Sequence, residues 1–84
     1  MANVKLRYRG PLQDHLKVSE DMIFGNDISE ILKYIKKLYG KDACKMAKTM
    51  LITVNGENIL KRQVFKTCLA DGDVITFLPI NAGG

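Results

Sequence analysis

A single amphipathic segment, residues 27–40, constrains the fold more than any other part of the sequence. Asp27 is a favourable helix N-cap, and Glu30 three positions later completes a capping box. The apolar residues that follow recur every three or four positions and form one stripe: Ile28, Ile31, Leu32, Ile35, Leu38 and Tyr39. Three lysines lie on the opposite face: Lys33, Lys36 and Lys37. Gly40 is a natural helix stop. Burial against a sheet explains this stripe better than binding in a partner's groove, because a sheet elsewhere in the chain needs covering.

The residues before this helix predict two strands. Apolar and basic residues alternate strictly over positions 4–9, as in a half-buried strand, and Gly10 ends the pattern. The inward face of this strand is expected to hold three residues: Val4, Leu6 and Tyr8. Residues 12–15 fit a helical turn. A second strand is expected within residues 16–24, with a bulge or a late start where two acidic residues interrupt its alternation: Glu20 and Asp21.

The residues after the helix predict a hairpin. Residues 41–48 fit either a continued helix or a loop. Residues 50–54 are rich in β-formers, and the Asn55-Gly56 pair behind them is the strongest hairpin turn signal in the sequence. A short return strand is therefore expected around residues 58–60.

The last strand is predicted at residues 74–78, after a turn at residues 69–73. Two of its residues should point to the core: Ile75 and Phe77. Leu78 should then be an exposed apolar residue on the opposite face. Pro79 lacks the N–H that a strand ladder needs, so the strand should end there.

The order strand, strand, helix, strand, short strand, strand predicts an α+β fold. It describes a ubiquitin-like β-grasp, with a mixed four- to five-stranded sheet covered on one face by a single main helix. In this arrangement the last strand returns to the middle of the sheet beside the first. We expect a β-grasp domain at residues 1–79 and a flexible C-terminal tail at residues 80–84.

Composition excludes several classes of function. No stretch approaches the roughly 20 apolar residues that cross a bilayer, and the N-terminus has no export segment, so a cytoplasmic protein without membrane contact is expected. Cys44 and Cys68 lack the CxxC spacing of redox or zinc sites, and only His15 could join them. We therefore predict no metal site and two buried thiols.

The net charge of +4 is spread over several basic clusters. A nucleic-acid site would add aromatic residues between the basic ones, and only Tyr8 lies inside such a cluster. Nucleic-acid binding is therefore not expected. An acidic protein partner fits the charge equally well.

The sequence ends in Gly83 and Gly84 on an apolar stretch that begins at Phe77. Glycine has no Cβ, so such a tail is narrow enough to enter another protein's cleft. Its carboxylate is inert until a partner enzyme activates it with ATP, which turns it into an acyl electrophile. The alternative is a frayed chain end in which the two glycines are incidental.

Three segments together resemble the MoaD/ThiS family of ubiquitin-like sulfur carriers: Val54-Asn55-Gly56, the Asp-Gly-Asp turn within residues 69–74, and the Pro-containing tail of residues 77–84. The resemblance implies that Gly84, beside Gly83, is adenylated and then converted to a thiocarboxylate. It also implies a partner-binding stretch: Leu78, Pro79, Ile80, Asn81 and Ala82. The chain itself would not be an enzyme and would bind no cofactor, because the adenylating partner uses the ATP.

The resemblance leaves the recipient of the sulfur open. The preferred interpretation is molybdopterin (molybdenum or tungsten cofactor) biosynthesis, with the tail inserted into the large subunit of molybdopterin synthase. The alternatives are a ThiS-like carrier for thiamine thiazole and a ubiquitin-like modifier conjugated to proteins through Gly84. A β-grasp module that binds RNA or protein without using the tail is a further alternative.

Overall fold

The computed structural model describes residues 2–58 and 68–80 of the chain. In these ranges, five strands form one sheet: β1 (Ala2–Tyr8), β2 (Glu20–Gly25), β3 (Leu51–Val54), β4 (Glu57–Asn58) and β5 (Val74–Leu78). Their order is β2-β1-β5-β3-β4, with β1 parallel to β5 and the other neighbours antiparallel. The sheet is mixed and the last strand lies beside the first, so the predicted β-grasp is confirmed.

One face of the sheet is buried, and its residues are those that the alternation predicts. In β1 three side chains are fully buried: Val4, Leu6 and Tyr8. In β5 two are fully buried: Ile75 and Phe77. Leu78, on the opposite face, is half-buried and not exposed as predicted. Leu78 is partly covered because it pairs with β3, where Leu51 lies directly opposite it.

The described residues contain three helices: α1 (Gly10–Leu16), α2 (Ile28–Tyr39) and α3 (Lys41–Lys48). The predicted cap of α2 is confirmed, because the N–H of Glu30 donates to Asp27 Oδ1 over 2.9 Å. Glu30 Oε1 in turn accepts from the N–H of Asn26 over 2.6 Å. Gly40 ends the helix with φ +101°. The helix therefore has the limits that its sequence predicts.

The predicted apolar stripe of α2 is correct up to Ile35 and wrong at Leu38, whose side chain is 57% exposed. In the last turn Tyr39 is the residue that reaches inward, where its hydroxyl binds Asp21. Residues 41–48, which fitted either a helix or a loop, form α3. Its inner face is made of small side chains: Ala43, Cys44 and Ala47. Both helices add to the core above the sheet.

The predicted hairpin is confirmed, since Asn55 and Gly56 have φ of +53° and +85°, the signs that a type I′ turn requires. The return strand begins at Glu57, and residues 59 and 60 of the predicted strand lie outside the described residues. β2 starts at Glu20, which confirms the late start. The helical turn expected at residues 12–15 is part of the longer α1.

Cys44 is buried as predicted, whereas Cys68 is exposed. Cys68 lies in an isolated antiparallel bridge with Asp27, at the margin of the core, so the prediction of a second buried thiol is wrong. No helix within residues 2–58 and 68–80 has the length and apolar character needed to span a membrane. The division into a domain at residues 1–79 and a tail at residues 80–84 stays a prediction.

Candidate functional site

The predicted site begins where β5 ends. Leu78 is half-buried and Pro79 is exposed, and the side chain of Ile80 is 55% exposed. The strand ends at Leu78, as expected from Pro79. We call residues 77–80 the stem. The other predicted site residues lie outside the described part of the chain: Asn81, Ala82, Gly83 and Gly84.

The stem is held by the residues that follow β1. The N–H of Arg9 donates to the carbonyl oxygen of Phe77 over 3.1 Å. Next to it, Gly10 has φ +61° and lies directly against the ring of Pro79, so close that a Cβ at Gly10 would be 3.0 Å from Pro79 Cγ. One backbone hydrogen bond and one packing contact thus add to the pairing of β5 with β1 and β3 at the place where the chain leaves the sheet.

The opposite end of β5 is held by side-chain hydrogen bonds. Asp73 Oδ1 accepts from Asn55 Nδ2, and Asp73 Oδ2 accepts from the N–H of Ala70, both over 2.9 Å. Asn55 Oδ1 accepts from the N–H of Val74, also over 2.9 Å. The Asn-Gly and Asp-Gly-Asp motifs, 15 or more positions apart in the sequence, are therefore bonded to each other.

The same turn is also bonded to β1. Asp71 Oδ1 accepts from the N–H of Asn3 over 2.7 Å, and the carbonyl oxygen of Asn3 accepts from the N–H of Gly72 over 2.9 Å. The N–H of Lys5 donates to the carbonyl oxygen of Asp73 over 3.0 Å. We call these bonds, together with those of Asn55, the turn network. It fixes β5 against both neighbours and performs a structural role.

A tyrosine pair lies in the core behind the stem. The Tyr8 ring is 6.0 Å from that of Phe77 and 6.3 Å from that of Tyr39. Both tyrosine hydroxyls donate to Asp21 Oδ2, over 2.9 Å from Tyr8 and 2.5 Å from Tyr39. Burial, with the bond to Asp21 and its charge, raises the pKa of Tyr8 and raises that of Tyr39 to about 12.

Sequence reasoning missed this cluster. In the sequence, Asp21 stands out only because it interrupts the alternation of the second strand. The available signal was an acidic residue at an inward-facing position of that strand, because a buried carboxylate needs donors. Nothing in the sequence says that Tyr8 and Tyr39 supply them.

The uncovered sheet face formed by β1 and β2 combines apolar and basic side chains. Met22 and Phe24 of β2 are 60% and 54% exposed. On β1, Lys5 pairs with Met22 across the strands, and Arg7 with Glu20. Sequence reasoning did not select Met22 or Phe24, because their face depends on the register of β2. This surface suits contact with another protein.

The described residues contain no group of three or more His, Cys, Asp or Glu side chains placed to hold a metal ion. The stem itself consists of apolar side chains and backbone.

Comparison with known proteins extends these observations. The model of the ThiS family matches residues 7–84. No curated protein sequence matches the chain.

Several solved structures share the fold. Subunit 1 or 2 of the molybdopterin-converting factor complex from Helicobacter pylori is 30% identical, with a TM-score of 0.70 over 98% of this chain and 99% of that one. Small archaeal modifier protein 1 from Methanosarcina acetivorans is 25% identical, with a TM-score of 0.82 over 100% and 98%. A chain of the BexX/CysO complex from Amycolatopsis orientalis, 20% identical, has a TM-score of 0.79 over 96% and 99%.

Proposed function

The chain belongs to the ThiS family, and from this premise we propose that it is a sulfur carrier, loaded as a thiocarboxylate at Gly84. The observation that carries the proposal is the extent of the family match, which continues through residue 84 and so includes both terminal glycines. The chain is then a protein substrate or small subunit. Partner enzymes make and break the bonds.

The proposed chemistry has two steps. A carboxylate oxygen of Gly84 attacks the α-phosphorus of ATP on an adenylating enzyme, and pyrophosphate leaves. Hydrosulfide, or an equivalent sulfur donor, then attacks the acyl carbon and displaces AMP, which leaves one sulfur in place of one oxygen. Glycine at the last two positions suits both steps, since it adds no side chain to the approach of either reactant.

The geometry of the stem supports this proposal. β5 holds the stem in the middle of the sheet, and Pro79 prevents the ladder from continuing. Six residues, 79–84, reach at most about 20 Å when extended. That length suffices to place Gly84 inside a partner's site while the sheet face stays outside. The exposed Met22 and Phe24 then offer the partner a surface to hold.

Molybdopterin biosynthesis is the proposed destination of the sulfur. The identity of 30% over nearly the whole of both chains, to a protein of a molybdopterin-converting factor complex, supports it. On this proposal the partner is the large subunit of molybdopterin synthase. In one assay the thiocarboxylated chain is mixed with that large subunit and the molybdopterin precursor, and in a second assay with a thiazole synthase and its precursor. The chain should lose its sulfur only in the first assay. Loss only to the thiazole synthase would assign the chain to thiamine synthesis.

Intact-mass spectrometry tests the loading. The chain is incubated with ATP, sulfide and each candidate adenylating enzyme of its source organism, and the mass should rise by the difference between sulfur and oxygen. A variant with one alanine added after Gly84 should not be loaded, whereas the same alanine added before Met1 should change nothing. An unchanged mass with every adenylating enzyme contradicts the proposal.

A second candidate function is conjugation to other proteins through Gly84. The likeness to a small archaeal modifier protein, at 25% identity over the whole chain, favours it. Both functions start from the same adenylate, so only the product separates them. No Lys or Arg follows Lys66, so trypsin should leave residues 67–84 on a modified lysine. Peptides that carry this branch in cells with the wild-type chain would show that the chain is a modifier. They should be absent from cells whose chain carries the added alanine after Gly84.

A further inference from the structure

We propose that Gly10 is a positioning residue for the tail. Its missing side chain makes room for Pro79 and so sets the direction in which the chain leaves the sheet at Pro79 and Ile80. This inference rests on the proposed function, because the direction matters only when a partner must receive Gly84.

The contact between Gly10 and Pro79 leaves no room for a side chain. A Cβ built on Gly10 would lie 3.0 Å from Pro79 Cγ, 3.2 Å from Cδ and 3.3 Å from Cβ. Such distances are shorter than ordinary van der Waals contacts of a Cβ, so the ring would have to withdraw by a few tenths of an ångström.

The ring of Pro79 cannot withdraw without turning the chain that follows it. Two positions earlier, the carbonyl oxygen of Phe77 is bound by the N–H of Arg9. One position earlier, Leu78 is paired with Leu51. The ring also fixes its own φ near −65°. A displacement at Pro79 is therefore passed on toward Ile80 and beyond.

The direction of the chain at Pro79 limits where Gly84 can be delivered. Residues 80–84 reach at most about 17 Å when extended, so a change of direction at Pro79 changes the region that Gly84 can reach. Misplacement of a reacting group by about 1 Å can cost a large factor in rate. If the partner binds the sheet face and the tail together, the exit direction decides whether both fit.

Gly56 supplies a matched control. It also has a positive φ, of +85°, but nothing lies within 4 Å of a Cβ built on it. Gly56→Ala thus imposes a similar backbone penalty at the tip of the β3–β4 hairpin without touching the stem. Gly10→Ala imposes the backbone penalty and also pushes Pro79.

The first measurement is the rate of adenylation of Gly84 by an enzyme that loads the wild-type chain. With the chain as the varied substrate, Gly10→Ala should lower kcat by about tenfold. KM should stay within about twofold, since the sheet face still docks. Gly56→Ala should leave both unchanged. Far-UV circular dichroism checks that each variant is folded.

Pro79→Ala changes the other partner of the same contact. Because Pro79 is exposed, this variant should fold even if Gly10→Ala does not, so the test stays possible. It should also lower kcat. The double variant should be no slower than the slower single one, because Pro79→Ala removes the ring that the new methyl group of Gly10→Ala would push. A merely structural role for Gly10 would lower the melting temperature without this non-additivity in kcat.

The second measurement needs no enzyme. A nitroxide is attached at Asn81→Cys in a full-length chain that also carries Cys44→Ala and Cys68→Ser. Paramagnetic broadening of the backbone amides then reports which part of the domain the tail faces. Adding Gly10→Ala or Pro79→Ala should move the broadening to different residues, and adding Gly56→Ala should not.

The two measurements separate failure of this inference from failure of the proposed function. If no adenylating enzyme loads the wild-type chain, the proposed function fails, and the nitroxide measurement alone judges the positioning role. If the wild type is loaded and folded Gly10→Ala has a wild-type kcat, the positioning role is wrong and the sulfur-carrier proposal stands. Unchanged broadening in Gly10→Ala and Pro79→Ala would also overturn it.

Discussion

The two ends of β5 are held in different ways. At its start, the turn network joins Asp71 and Asp73 to the backbone of β1 and to Asn55. At its end, in addition to its pairing with β1 and β3, the stem has a backbone hydrogen bond from Arg9 and the packing of Pro79 on Gly10. The difference teaches that side-chain hydrogen bonds can hold the start of a strand while apolar packing holds its end. The stem keeps its place while its last two residues, Pro79 and Ile80, stay exposed.

The sharpest test of this contrast places the same substitution on either side of the strand's end. Ile75 is fully buried, so Ile75→Ala should lower the free energy of unfolding by about 3 kcal/mol. Ile80 is 55% exposed, so Ile80→Ala should cost less than about 0.5 kcal/mol and should instead slow loading. Urea unfolding measures the first effect and intact mass the second. Equal stability losses would show that the stem is not a separate region.

The next largest effect is expected in the turn network. Asp73→Ala removes two hydrogen bonds and leaves the Ala70 N–H without its acceptor, which should cost about 2 kcal/mol. Asp14→Ala, on the exposed side of α1, should stay within about 0.5 kcal/mol of the wild type. If both variants unfold at the same urea concentration, the start of β5 is not held by these bonds.

The tyrosine pair behind the stem predicts a loss of stability at alkaline pH. A raised pKa means that the folded protein keeps the Tyr39 proton after the unfolded chain, near pH 10, has released it. The stabilisation is complete below about pH 10 and is lost as pH rises toward 12. Free energies of unfolding measured across this window should fall more steeply for the wild type than for Tyr39→Phe.

Tyr34→Phe is the control for this prediction, because the hydroxyls that bind Asp21 are those of Tyr8 and Tyr39. It should keep the wild-type slope. If the free energy of unfolding of Tyr39→Phe falls with pH as steeply as that of the wild type, the tyrosine pair does not stabilise the core behind the stem.

The smallest effect is expected for the ion pairs of the open sheet face. Glu20 lies 3.9 Å from Lys5 Nζ and 3.6 Å from Arg7 Nε, and these side chains are 39% to 46% exposed. Glu20→Gln should therefore cost less than about 0.5 kcal/mol, like Glu57→Gln on β4. A larger loss that disappears in high salt would show that charges also hold this side of the sheet.

Local patterns predicted the parts of the fold that local forces decide. Alternation in β1 assigned Val4, Leu6 and Tyr8 to the core, and Asn55-Gly56 fixed the hairpin, because both depend on the backbone of a few consecutive residues. The cap at Asp27 was predictable for the same reason. The element order then allowed the β-grasp to be inferred.

What sequence reasoning missed depends on contacts between distant segments. Leu38 fits the helical period, yet Tyr39 takes the inward place because Asp21 offers it a hydrogen bond. The partial burial of Leu78 depends on its pairing with a neighbouring strand. The exposure of Cys68 depends on its position at the margin of the core. In the candidate site, the end of the strand could be predicted from Pro79 alone. The contact of Pro79 with Gly10 could not, because only the fold brings these two distant residues together. The roles of Gly83 and Gly84 stay predictions.

The central position of β5 also determines when a newly made chain can complete its sheet. Asn3 and Asp71 are bonded across 68 positions of the chain, and β1 has its parallel neighbour only after residues 74–78 have been translated. Pairings over such separations form late and slowly. Nascent chains therefore cannot close the sheet until residues 74–78 have been synthesised. A product that stops before β5 would lack the strand that joins the β2-β1 pair to the β3-β4 pair.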